Sequence, residues 1–103
     1  MAEFEFAAEL WLHQGSAGWR FVTLPHMVSD EIADEVAERG DPARRGFGSV
    51  RVEVSCGATK WRTSLFPDRA SRSYVVPVKQ AVRFAEGLDD GDLVRIRLQP
   101  IST

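Results

Sequence analysis

Apolar and polar residues alternate from the start of the chain. Phe4, Phe6, Ala8, Leu10 and Leu12 fall at every second position, with Glu3, Glu5, Glu9 and His13 between them. A period of two puts all five on one face of a strand. GSAG (15–18) supplies a turn, and WRFVTL (19–24) forms a second strand that stops at Pro25, which has no N–H to give a ladder. Together they make a hairpin. The spacing then becomes helical: Val28, Ile32 and Val36, with Ala33 and Ala37, form one apolar stripe. Ser29 is placed to cap this helix, Asp30 and Glu31 suit its positive end, and Arg39 with Gly40 marks its finish.

DPARRGFG (41–48) is a loop by composition, and SVRVEVSC (49–56) returns to strand spacing with Val50, Val52, Val54 and Cys56 inward. After Gly57 and Ala58, TKWRTSLFP (59–67) puts Trp61, Thr63 and Leu65 on one face and Arg62, Ser64 and Phe66 on the other, and Pro67 ends it. SYVV (73–76) is a short strand. Pro77 takes the first position of a second helix, which carries Val78, Ala81, Val82 and Ala85 on one side and closes at Gly87. DDGD (89–92) turns the chain into a last strand, LVRIRLQ (93–99), with Val94, Ile96 and Leu98 inward and Arg95 and Arg97 outward.

Two stretches share one plan. FVTLP, a helix and SVRVEV are matched by YVVP, a helix and LVRIRL. Each such half has one apolar sheet face and too few strands to cover it, so the stable solution is for the halves to interlock about a pseudo-twofold axis. The predicted fold is mostly β with two short helices: a closed or nearly closed barrel of about six strands, since closure also removes exposed edges.

Composition narrows the function classes. The 103 residues, 44% hydrophobic with three Trp and six Phe, suffice for one core, so 1–103 is expected to be a single domain. A net charge of −2 lacks the broad positive field of a non-specific nucleic-acid coat. The charge is uneven, however: residues 1–47 sum to −5 and residues 48–103 to +3, so an anionic partner should meet the second half. One cysteine, no secretion peptide and no run of about 20 apolar residues make a reducing, cytoplasmic setting the expectation, with no membrane contact.

The string WRTSLFP (61–67), followed by YVVPVKQAVRFAEGLDDGDLVRIRL (74–98), resembles the bacterial family catalogued as domain of unknown function 1905. FEFAAELW (4–11) and GWRFVTLP (18–25) match it as well, so the resemblance runs from Phe4 to Leu98. It implies a double-split β-barrel, related in architecture to swapped-hairpin transcription factors of the AbrB type and toxin antidotes of the MazE type. Some members carry a second, helical domain of the bacteriocin-protection type, which is not expected here. The family has no established activity, so the resemblance supplies no catalytic residues.

Catalytic constellations are absent from the spacing. His13 and His26 form no ligand pattern with Cys56 or a carboxylate pair, so no metal or other cofactor is expected. Ser64 has no nucleophile elbow around it, and Cys56 continues an inward apolar series. A non-enzymatic binding or interaction module is the leading reading, with an anionic small molecule or a protein as partner and a monomer or homodimer as its state. Its candidate site is an anion pocket. Lys79 and Arg83 share a helix face, and Lys79 is read into the first turn, where the dipole disfavours a cation; Trp61, Thr63 and Ser64 would supply an apolar wall and hydroxyls. The competing structural account pairs Arg83 with Asp92 or Glu86 and Lys79 with an acidic side chain from the first half. The alternative function is a DNA-binding regulator or antitoxin-like protein using outward Arg51, Arg95 and Arg97 with Lys60 and Arg62, although net charge disfavours it. If the chain is an enzyme, the polar cluster of Thr63, Ser64, Lys79 and Arg83 is where its chemistry is sought. Trp11 and Phe66, out of phase with the core, are expected beneath the helices, or else on a partner surface.

Overall fold

A computed structural model describes residues 3–15, 18–38 and 48–101. Within them the chain forms six strands and two helices: β1 (Phe4–Leu12), β2 (Arg20–Thr23), α1 (His26–Glu38), β3 (Val50–Cys56), β4 (Thr59–Asp68), β5 (Ser73–Pro77), α2 (Gln80–Glu86) and β6 (Leu93–Pro100). The strands close into an antiparallel barrel in the order β1-β2-β5-β4-β3-β6. Residues 16 and 17 of the first turn, the expected helix end at Arg39 and Gly40, and most of the 41–48 loop lie outside the described residues.

The predicted interlock is present. Each half runs strand, strand, helix, strand, and β3 pairs only with strands of the other half, β4 and β6, while β6 pairs only with β1 and β3. Val54 faces Leu98 and Thr23 faces Val75. Both pairs join residues at equivalent places in the two halves, so a pseudo-twofold axis passes through them. The core is continuous across the seam: Phe4, Phe6, Val52, Val54, Trp61, Leu65, Ile96 and Leu98 belong to one buried cluster. Burial of that common face is the dominant stabilising term, at about 25 cal/mol per Å² of apolar surface.

The helices depart from the sequence reading. Helix α1 starts at His26, and the Ser29 N–H already bonds the Pro25 carbonyl at 3.0 Å, so Ser29 is no cap. Its buried hydroxyl instead accepts the Tyr74 N–H at 3.0 Å, pinning the helix to β5. That bond satisfies a backbone donor on the partner half, which outweighs a local cap. Asp30 and Glu31 accordingly lie beyond the first turn. Ile32 and Val36 are buried while Ala33 and Ala37 are exposed, so the stripe is narrower than expected. Helix α2 is seven residues long, with Lys79 as its N-cap residue and no side-chain cap. Pro77 is the last residue of β5 and not the first of the helix; Val78 is buried before the helix begins, and Ala81 and Ala85 are exposed. Pro67 likewise sits inside β4, opposite Tyr74, and the strand runs on to Asp68.

Candidate functional site

The order of the barrel strands creates a notch in its wall. β5 lies between β2 and β4, with Pro77 opposite Phe21, and past Pro77 the chain turns inward at buried Val78. The proline gives no N–H, the Val78 N–H still bonds the Arg20 carbonyl of β2 at 2.9 Å, and the valine side chain is drawn to the core. Beyond Val78 the chain leaves the sheet for α2, while β4 continues towards Thr59. The result is a groove of about 590 Å³, walled by Gly18–Arg20 on one side and Trp61–Thr63 on the other, floored by Pro77–Gln80 and reached by Arg83.

Of the residues read from sequence as an anion pocket, Trp61, Thr63, Lys79 and Arg83 all line this groove. Ser64 does not; its side chain lies beside Arg51, whose guanidinium donates to the hydroxyl at 3.4 Å. Two further cations complete the lining: Arg20 from the first half, which the sequence does not single out, and Arg62 from β4, which it assigns to the outward basic set. Arg20 was invisible as a site residue because only the β2–β5–β4 order brings it near Lys79.

The pairing of these cations sets the charge of the groove. Arg20 makes a two-pronged contact with the Asp90 carboxylate, at 2.9 and 3.3 Å. The hydrogen bond from Arg20, assisted by its charge and that of Arg83, holds the Asp90 carboxyl below the usual carboxylate range, and the same pair raises Arg20. Arg62 is 3.5 Å from Glu53, across the β3–β4 ladder. Arg83 donates from Nε to the Val78 carbonyl at 3.0 Å, which fixes the guanidinium against the floor. Among the described residues neither Lys79 nor Arg83 has an ion pair. Of the acids that a structural pairing of Arg83 would need, Glu86 accepts the Thr59 hydroxyl at 2.6 Å and Asp92 accepts the Asp89 N–H at 2.8 Å, and among the described residues neither is ion-paired with Arg83. Lys79 and Arg83 thus carry net positive charge into the groove. Because Lys79 is the cap residue of a helix of only seven residues, that charge comes from side chains and not from a helix end.

The outward arginines have a different setting. Arg97 stands between Glu5 of β1 and Ser55 of β3, and Arg62 opposite Glu53. Arg51 and Arg95 occupy equivalent places in the halves but lie at opposite ends of the β3–β6 pair, about 20 Å apart along the strands. Lys60 is opposite Ser55. Arg62 and Arg97 thus have a carboxylate opposite them, whereas Arg51, Lys60 and Arg95 stand opposite Ser64, Ser55 and Ala7.

Trp11 and Phe66 are not beneath the helices. Ile32, Val36 and Val82 belong to the barrel-core cluster, so the helices pack onto the interior, whereas Trp11 faces Phe21 and Phe66 faces Val75 on the outer wall. There Trp11 donates to the Thr23 hydroxyl at 2.9 Å, and its ring lies 5.3 Å from Phe21, which in turn carries Trp19 at 5.7 Å. His13 joins this ring cluster, and His26 Nε2 donates to the Ser71 carbonyl at 2.7 Å. Cys56 is buried, and burial, reinforced by the charge of Glu86, pushes its thiol up. A second groove, about 720 Å³, lies where α1 meets the β4–β5 hairpin; it sets Asp30 and Asp68 against Arg69 and Arg72 and so has no surplus charge.

No helix among the described residues is long and apolar enough to cross a membrane. No curated protein matches the sequence. The family model described as Domain of unknown function (DUF1905) matches residues 6–98, nearly the whole chain, and the protein belongs to that family.

Proposed function

We propose that the protein is a binding module that takes an anionic small molecule in the notch beyond β5. The observation that carries this reading is the convergence of Arg20, Arg62, Lys79 and Arg83, from both halves of the chain, on one groove in which the last two have no ion pair among the described residues. Cations held beside a partly enclosed groove attract an anion more strongly than the same charges spread over open surface, since less solvent screens them. The fixed Arg83 fork suits a phosphate or carboxylate.

Phosphate, sulfate and nucleotides titrated into the full chain test the reading. The amide resonances of residues 77–83 are expected to shift, and Lys79→Ala to weaken binding about tenfold, the loss of one charge-assisted contact. Unchanged amides with every anion, together with a silent Lys79→Ala, would remove it. A salt-dependent gel shift with duplex DNA is expected to show no binding comparable to that of the small anions, because the outer arginines are interleaved with Glu5 and Glu53.

A further inference from the structure

We infer that the anion is carried on a flat aromatic body, as in a mononucleotide, and that Trp19 is the platform on which this body stacks. The inference rests on the anion-binding reading and goes beyond it to the class of ligand. Two observations independent of the cations support it. The groove, at about 590 Å³, falls within roughly the 300–1,000 Å³ of sites that take organic ligands, and an inorganic anion would leave most of it to water. Trp19 lines that groove while remaining 52% exposed, an unusual cost for the largest apolar side chain unless something covers it.

Trp19 is also held in place. One side of its indole rests on Phe21, the rings 28° from parallel, and Phe21 is backed by Trp11, itself locked by the hydrogen bond to Thr23. A ring braced in this way loses little conformational freedom when a second ring stacks on it. Arg20, the next residue, brings its guanidinium to the same lip, and Lys79 and Arg83 lie across the floor. A molecule with a planar ring at one end and a phosphate at the other therefore meets indole and cations together, and a base of any identity presents a suitable face.

Inorganic phosphate, ribose 5-phosphate and adenosine monophosphate, titrated into the full chain and its Trp19→Ala and Trp19→Tyr variants, separate the ligand class from the anion site. Adenosine monophosphate is expected to bind about tenfold tighter than ribose 5-phosphate and to shift the Trp19 indole N–H resonance. Trp19→Ala should abolish that tenfold advantage and leave phosphate affinity unchanged, and Trp19→Tyr should keep most of the advantage. Equal affinities for the two organic phosphates, or an advantage that survives Trp19→Ala, would overturn the inference while leaving the anion site standing. Failure of all three anions to perturb residues 77–83 would overturn both. An adenylate oligomer binding far more tightly than the monomer, with a steep salt dependence, would overturn it in favour of a nucleic-acid strand.

Discussion

Arg20 and Asp90 set the charge at the mouth of the notch. Because the folded protein holds the Asp90 carboxyl below its usual range, the pair contributes stability at pH above that range and loses it as pH falls through the lowered value. Both side chains are partly solvated, so the pair is a tuning device more than a structural tie. Followed by carbon-detected NMR, Asp90 is expected to titrate below the ordinary carboxylate range and to return to it in Arg20→Gln. An unshifted Asp90 in the parent protein would show that the contact is not kept in solution. At this scale the sequence is read well where a residue answers to its immediate neighbours, as with Cys56 or Gly87, which has φ of 64° and closes α2. It is read poorly at Ser29. A serine before an amphipathic run reads locally as a cap, whereas its actual partner is the Tyr74 N–H, which no local pattern announces.

The short elements are held by contacts at their ends. Helix α2, at seven residues, is too short to persist alone, and its far end is fastened where Glu86 accepts the Thr59 hydroxyl beside the β3–β4 turn. Gly57 sits in that turn with φ of 58°, and a Cβ there would run into the Glu86 carboxylate. Gly87 has a similar backbone with open space around it. Gly57→Ala is therefore expected to destabilise by about 2 kcal/mol and Gly87→Ala by about 1 kcal/mol in denaturant unfolding, the difference reporting the disturbed Thr59–Glu86 contact. Equal effects would mean that α2 is not anchored there. Two prolines, Pro67 in β4 and Pro77 at the end of β5, mislead a linear reading. Proline at 77 suits a helix start as well as a strand end, and only the register with Phe21 decides between them. Pro67 is tolerated inside β4 although it gives no N–H to a ladder.

For the whole molecule, the repeat of proline-ended strand, helix and alternating strand was the legible feature, and it led to the closed barrel because an apolar sheet face must find a cover. Half of the candidate site was legible for the same reason: Lys79, Arg83, Trp61 and Thr63 stand near one another in the second half of the chain. The other half was not, because Trp19 and Arg20 enter from the first half and reach the notch only through the swapped strand order. Site and fold are thus two consequences of one interlock, in which β3 and β6 each complete the opposite half. The most direct test is to prepare residues 1–57 and 58–103 as separate peptides and record circular dichroism and amide spectra of each and of their equimolar mixture. Each alone should be unfolded, and the mixture should recover the spectrum of the intact chain. A native-like spectrum from either peptide by itself would contradict the account.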